Sequence, residues 1–157
     1  MISPGQKIDL QLELKVVQAG STRAVKLGEL LKRRTIVSVY MRNNTPSCDR
    51  QNDQLAAHAA EWDRAGCDVI ALSRDTCGSH VKYAAAKKIP YVLASDPEDR
   101  FARAADAIVE KTMYGRKFLG PARAAFVLER DGTVLAVLPK IESAEFAAQL
   151  RALLATV

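Results

Sequence analysis

The stretch TIVSVYMRNNTPSCDRQ, residues 35–51, is the most informative part of this chain. Its first six residues, TIVSVY (35–40), are β-branched and aromatic, which suits a buried central strand. The next eight, MRNNTPSC (41–48), are rich in turn and capping residues and read as a loop. From about Asp49 the apolar spacing becomes helical, with Leu55, Ala59 and Trp62 at i, i+4 and i+7. Ala65-Gly66 ends that helix. Cys48 falls where the loop meets the helix.

Outward from this stretch the pattern alternates. Upstream, residues 9–19 (DLQLELKVVQA) alternate as a strand or a pair of short strands, and Gly20-Ser21 marks a turn. Leu27, Leu30 and Leu31 give one face of a short helix. Downstream, CDVIALS (67–73) reads as the next buried strand, and Ser79 as the cap of a helix reaching Lys88. Ile89-Pro90 breaks it, and YVLA (91–94) is another short strand. A helix is expected from about Glu98, with Phe101, Ala105 and Ile108 on one face. Residues 110–122 read as irregular. FVLE and TVLAV flank Arg130-Asp131-Gly132, a strong hairpin signal. Ser143 is expected to cap a last helix facing inward through Phe146, Leu150, Leu153 and Leu154. Trp62 and the phenylalanines read as core. Strands alternating with helices predict an α/β fold with a mixed central sheet flanked by helices and an N-terminal strand or hairpin extension, an order compatible with a thioredoxin-like core.

The chain has 157 residues, 48% hydrophobic and 26% charged, which suits one domain over 1–157 and excludes a disordered chain. No apolar run is long enough to span a membrane. The first residues lack a basic segment followed by an apolar one, so no secretory signal and a cytoplasmic location are expected. The formal charge is +5, but basic residues are mixed with acidic ones along the chain. The densest run, Lys32-Arg33-Arg34, reads as a solvated turn before a strand, and no nucleic-acid partner is expected.

Cysteine decides the functional reading. Cys48, Cys67 and Cys77 are an odd set without a CxxC pair, so neither a disulfide framework nor a metal site is expected. Cysteines in such a chain are buried filler or reactive thiols. At a helix N-terminus Cys48 would meet unpaired backbone N–H groups and the positive end of the helix dipole, both of which favour thiolate. Thr45, three residues earlier, can offer a hydroxyl to the same place. By residue type alone, small apolar filler with ordinary caps is the favoured reading.

YMRNNTPSCDRQ resembles the active-site segment of peroxiredoxins, and its Thr-Pro-x-Cys form is similar to the Q-type, or bacterioferritin comigratory protein, subfamily. SRDTCGSHVKYAAAKKIPYVLASDPE carries that subfamily's Ser-x-Asp, Ser-His, Lys and Leu-x-Ser-Asp landmarks. EKTMYGRKFLGPARAAFVLERDG matches its Gly-x-x-Arg, strand, Asp-Gly stretch. The resemblance spans about residues 5–155. It implies a thioredoxin-like fold and a thiol-dependent peroxidase for hydrogen peroxide and small organic hydroperoxides. It assigns Cys48 as the peroxidatic cysteine, Thr45 as the hydroxyl that contacts thiolate and peroxide, and Arg123 as the catalytic arginine. Gln51 corresponds to a Glu or Gln position and is either a partner of that arginine or a plain helix-surface residue. A dithiol such as thioredoxin is the implied reductant. No cofactor is implied, and a monomer is expected.

One departure stands out: Met41 occupies the place of a family proline that shields the thiolate. A methionine is flexible and keeps a backbone N–H. A second question is which thiol resolves the sulfenic acid. Asp53 occupies the position five residues on where many relatives place a second cysteine. Cys77, in a Thr-Cys-Gly-Ser context, is the preferred resolver, an external thiol is the next reading, and Cys67 the last. The same fold could also serve a thiol–disulfide oxidoreductase, against which the absent CxxC argues, or a non-enzymatic peroxide sensor or holdase. His58 and His80 read as an exposed helix residue and a helix-start residue.

Overall fold

The structure is a computed structural model and describes residues 1–157. Its centre is a seven-stranded mixed sheet. In chain order the strands are β1 (Glu13–Gln18), β2 (Ser21–Lys26), β3 (Thr35–Val39), β4 (Asp68–Ser73), β5 (Val92–Ser95), then β6 (Ile108–Met113), β7 (Arg116–Pro121), β8 (Ala125–Leu128) and β9 (Val134–Leu138). The sheet runs β2-β1-β5-β4-β3-β8-β9, and β6 and β7 form a separate two-stranded ribbon. β3, β4 and β5 pair in parallel, whereas β1 and β8 pair antiparallel to their neighbours. The N-terminal extension is the β1–β2 hairpin, turned at Ala19-Gly20.

The helices are α1 (Leu27–Leu30), α2 (Pro46–Ala57), α3 (Ala59–Arg64), α4 (Cys77–Lys87), α5 (Arg100–Ala104) and α6 (Phe146–Leu154). The period-2 alternation of a strand sorts the core into two halves. Val37 and Val39 of β3 pack with Ile70, Leu72, Phe101 and Phe126 under α1 and α5. Ile36 and Tyr40 face the opposite way, with Leu55, Trp62, Tyr83, Phe146 and Leu150 under the other helices. Every residue of β3 is buried, as a strand covered on both faces requires.

Several boundaries differ from the sequence expectation, each for a local reason. α2 starts at Pro46, three residues before Asp49, because a proline at the first helical position gives up an N–H that has no helical partner anyway. The helical pattern from Leu55 to Trp62 is interrupted at His58, and the Trp62 indole N–H donates to Leu55 O at 3.0 Å across the break. α4 is capped by Thr76, whose hydroxyl accepts from Ser79 N, so Ser79 is the third helical residue and not the cap. α5 is one short turn, and Ile108 opens β6 instead of continuing the helix. Ser143 opens a 3-10 turn and makes no cap bond.

The largest difference is at residues 110–122, read as irregular. They are most of the β6–β7 ribbon, closed by a two-residue loop in which Tyr114 and Gly115 both have positive φ. That is the geometry of the hairpin turns whose twist matches right-handed strands. Phe118 on this ribbon is exposed, unlike Phe101, Phe126 and Phe146.

Candidate active site

The site lies at the carboxyl end of β3, where the sheet order places β4 on one side and β8 on the other. Crevices of this kind carry sites in parallel α/β sheets. Tyr40 and residues 41–45 lead out of the strand, with Asn44 in the left-handed region, and Thr45 takes an extended N-cap conformation. With Pro46 first, Cys48 is the third residue of α2. The N–H groups of this turn lack intrahelical acceptors and surround the sulfur with positive potential. The Cys48 side chain is buried, at 1% exposure.

Arg123 arrives from the segment before β8. Its Nη1 donates to Cys48 Sγ at 3.3 Å and to Gln51 Oε1 at 2.8 Å, and its Nη2 approaches Ser47 Oγ at 3.5 Å. Gln51 is fully buried one turn beyond Cys48. Its Nε2 donates to Ser38 Oγ at 2.9 Å and to Val39 O at 3.1 Å. The sheet consumes the amide nitrogen, so the amide oxygen is left facing the guanidinium. Of the two readings open for Gln51, the arginine partner is the one the geometry contains.

Burial by itself would raise the Cys48 pKa. The Thr45 hydroxyl, the backbone N–H groups of Arg42 and Met41 and the charge of Arg123 together outweigh burial, and the thiol is lowered below its ordinary value. Thr45 Oγ1 also lies 2.8 Å from Arg42 O, so its single proton turns either to that carbonyl or to the sulfur. The Met41 contribution is one that a proline, lacking an N–H, could not make.

A polar network behind the loop was not legible in the sequence. Asn43 is buried and joins four partners: Tyr40 OH donates to its Oδ1 at 2.6 Å, its backbone N–H donates to Asp75 at 2.9 Å, and its Nδ2 reaches Ser79 Oγ at 3.1 Å and His80 Nδ1 at 3.2 Å. His80 is fully buried, with Nε2 at 3.1 Å from Ala94 O. The network therefore assigns the neutral tautomer with the proton on Nε2, donating to Ala94, while Nδ1 accepts from Asn43. Burial lowers the His80 pKa. His80 is thus a structural anchor of the loop and more than a helix-start residue. Asn43 ties the loop that precedes Cys48 to the first turn of α4.

Cys77 is the first residue of α4 and is partly exposed. It lines a cleft of about 470 Å³ with Arg74, Ser95, Asp96 and Arg100. No disulfide joins any pair of cysteines, and no hydrogen bond links Cys77 to Cys48. Cys67 is buried before β4, and burial raises its pKa. The structure therefore gathers Cys48, Thr45 and Arg123 and leaves Cys77 on a separate helix. Lys111 of β6 folds toward Met41 at the edge of the loop.

The family model for the AhpC/TSA family matches residues 5–137. The chain belongs to the AhpC/TSA family of peroxiredoxins. A Xanthomonas campestris protein named Peroxiredoxin Bcp is 33% identical over 109 residues, covering 69% of this chain and 68% of the relative. The structure of Xanthomonas campestris Peroxiredoxin Q superposes with a TM-score of 0.85 at 27% identity over 97% of this chain and 96% of that one. A structure from work on the alkyl peroxide reduction activity of the Xanthomonas campestris bacterioferritin comigratory protein matches with a TM-score of 0.85 at 26% identity, covering 98% of both chains. This peroxiredoxin is of the Q, or Bcp, type, has the thioredoxin-like α/β fold, and is a thiol-dependent peroxidase that works with a peroxide and a thiol reductant.

Proposed function

We propose that Cys48 is the thiol that attacks the peroxide and that Arg123 and Thr45 hold both reactants. The observation that carries this reading is Arg123 Nη1 at 3.3 Å from a buried Cys48 sulfur whose pKa is lowered. The Cys48 thiolate attacks one peroxide oxygen in line with the O–O bond. Sulfur donates an electron pair to the terminal hydroxyl oxygen, the O–O bond breaks, and the departing oxygen takes up from solvent the proton the thiol had released, leaving as water or alcohol. The products are Cys48 sulfenic acid and ROH. Donors fixed before the reaction lower the barrier most where negative charge develops; Arg123 is such a donor, and the Thr45 hydroxyl joins it by turning from Arg42 O. Hydrogen peroxide and small organic hydroperoxides are the proposed substrates.

Cys77 is the proposed resolving thiol. Its sulfur would displace hydroxide from the sulfenic acid, which leaves as water and forms a Cys48–Cys77 disulfide. Thioredoxin or a similar dithiol would reduce it. Bonded cysteines need Cα atoms within about 7 Å. Because the two residues open different helices, bridging calls for the first turn of α2, of α4 or of both to unwind. Asn43 spans those turns, so loosening one releases the other. Hydrogen exchange over residues 46–54 and 75–85 is expected to speed up on oxidation.

The proposed catalyst is a monomer. Arg33 pairs with Asp63 and Asp68, and Arg34 with Glu129, which supports reading the basic run as a satisfied surface without nucleic acid. Three free thiols suit a reducing compartment such as the cytoplasm.

The test is intact mass and thiol count after one equivalent of hydrogen peroxide on the wild type, Cys48→Ser and Cys77→Ser. Loss of two thiols and about 2 Da, absent in both variants, is the expected result. A gain of one oxygen in the wild type and in Cys77→Ser would assign resolution to an external thiol. Unchanged oxidation of Cys48→Ser would overturn Cys48 as the nucleophile.

A further inference from the structure

Three side chains of α4 reach the segment that carries Cys48, and they stand one helical turn apart. Ser79 Oγ accepts from Asn43 Nδ2 at 3.1 Å, Tyr83 OH donates to Asp49 Oδ1 at 2.7 Å, and Lys87 Nζ lies 3.3 Å from Asp53 Oδ1. Residues four apart share one face of a helix, so Ser79, Tyr83 and Lys87 form a stripe along α4. On α2 the partners Asp49 and Asp53 keep the same spacing. The two helices are joined rung by rung.

The rungs differ in strength. The Lys87–Asp53 pair is largely exposed, and such pairs contribute little. Tyr83 is buried, at 2% exposure, and packs against Tyr40 in the cluster that also holds Cys48. Its hydroxyl donates to a carboxylate and accepts from Asn52 Nδ2 at 3.3 Å. A hydrogen bond to an ionised group is roughly twice as strong as a neutral one. Asp49 directly follows Cys48, so this middle rung closes on the turn that bears the sulfur.

Cys77 stands off the stripe. Two residues along a helix rotate a side chain through about 200°, so Cys77 and Ser79 leave α4 on opposite sides. Cys77 accordingly lines its cleft with Leu14, Ser95 and Asp96 and with no residue of α2. Cys48 must leave its turn to meet Cys77, and the Tyr83–Asp49 bond opposes that departure.

We propose that Tyr83 is a positioning residue for the resolving step: its hydroxyl, bonded to Asp49, holds the turn of α2 that carries Cys48 and sets the rate at which the Cys48 sulfenic acid reaches Cys77. The inference rests on the readings of Cys48 as the reacting thiol and Cys77 as the resolver. The same bond governs a competition. While the turn stays folded, the sulfenic acid remains beside Arg123, where a second hydroperoxide can transfer one oxygen to it, giving sulfinic acid and ROH. Once the turn opens, the Cys77 thiol attacks the Cys48 sulfur. The S–S bond forms, the S–O bond breaks, and the departing hydroxide takes the thiol proton as water.

The experiment is rapid-quench intact mass after peroxide addition on the wild type, Tyr83→Phe, Asp49→Ala and the double variant, with amide hydrogen exchange over residues 46–54 of the reduced proteins. Tyr83→Phe removes one oxygen and keeps the buried ring. It is expected to leave the rate of sulfenic acid formation unchanged and to close the disulfide about tenfold faster. About tenfold more peroxide should then be needed for the same yield of sulfinic acid, and exchange over residues 46–54 should speed up by a similar factor. A hydroxyl that merely stabilised the fold would lower the unfolding temperature without moving that partition. The double variant should close no faster than either single variant, because both substitutions break one bond. An unchanged closure rate in Tyr83→Phe overturns the proposal, as does a double variant in which the two effects multiply. If Tyr83→Phe fails to fold, an unchanged closure rate in Asp49→Ala overturns it instead. A wild type that gains oxygen on Cys48 but forms no bond to Cys77 overturns the reading of Cys77 and this proposal with it. A wild-type Cys48 that does not react with peroxide overturns the proposed function itself.

Discussion

Arg123 Nη1 lies 3.3 Å from Cys48 Sγ although 75 positions separate the two residues in the chain. One residue comes from the loop entering β8 and the other from the first turn of α2. They meet because β8 is hydrogen-bonded to β3, the strand that leads into α2. The same Nη1 also donates to Gln51, so the guanidinium is fixed before any peroxide arrives. Preorganised donors of this kind need no rearrangement when charge develops.

Removing the guanidinium is expected to slow the reaction strongly. A charge-assisted hydrogen bond is worth roughly 1.5–3 kcal/mol, so Arg123→Met should lower the second-order rate with hydrogen peroxide about 10-fold to 100-fold. Arg123→Lys keeps charge but loses the planar fork and should recover only part of the rate. Stopped-flow oxidation of the thiol at neutral pH measures this. A wild-type rate in Arg123→Met would remove the arginine from the mechanism.

Gln51 holds that arginine while anchored to Ser38 and Val39. Gln51→Leu has comparable bulk but no amide, so it removes the partner of the buried Ser38 hydroxyl and one acceptor of Arg123. The expected loss of stability in urea unfolding is about 1–3 kcal/mol, with slower peroxide reaction in the same variant. Unchanged stability together with an unchanged rate would show that the amide orients nothing.

The lowered pKa of Cys48 makes stability depend on pH in a definite direction. Between the folded pKa and the ordinary thiol value of about 8.5, the folded state carries thiolate while the unfolded state keeps its proton. Stability contributed by Cys48 therefore grows as pH rises through that window and is fully present above it. It is lost as pH falls through the folded pKa. Urea unfolding across this range should show a rise in the wild type that Cys48→Ser lacks. Parallel curves for the two proteins would contradict a lowered thiol.

His80 acts at the acid end. Its folded pKa is below the ordinary imidazole value of about 6.5, so between the two values the unfolded state binds the proton and the folded state does not. Stability should fall as pH drops below that ordinary value, and the loop anchored through Asn43 should loosen. His80→Gln keeps donor and acceptor capacity without titrating and should flatten this part of the curve. An equal acid slope in that variant would place the sensitive group elsewhere.

Much of the fold was legible because its signals are local. The β-branched run at Thr35–Tyr40, Pro46 beside a threonine, and the Asp131-Gly132 turn each act within a few residues. The β6–β7 ribbon was not legible. Its strand EKTM carries charged and polar side chains on both faces, since little of the ribbon is buried. Its turn places Tyr114 at φ 52, which a tyrosine does not advertise. Thr76 and Ser79 compete as caps three positions apart, and only the hydroxyl geometry selects Thr76.

Sequence by itself determined an alternating α/β chain, a cysteine at a helix start after a central strand, and an ordered set of motifs around Thr45, Cys48 and Arg123. Those features follow from periodicity, capping and residue chemistry over short spans. Tertiary packing decided that Gln51 turns its oxygen to Arg123, that His80 is a buried anchor for the loop, and that Cys77 opens a helix of its own. These depend on which strands neighbour one another and which way side chains leave them. Interactions between residues 70 or more apart leave no periodic trace in either segment, because each segment is shaped locally and meets the other only when the sheet forms.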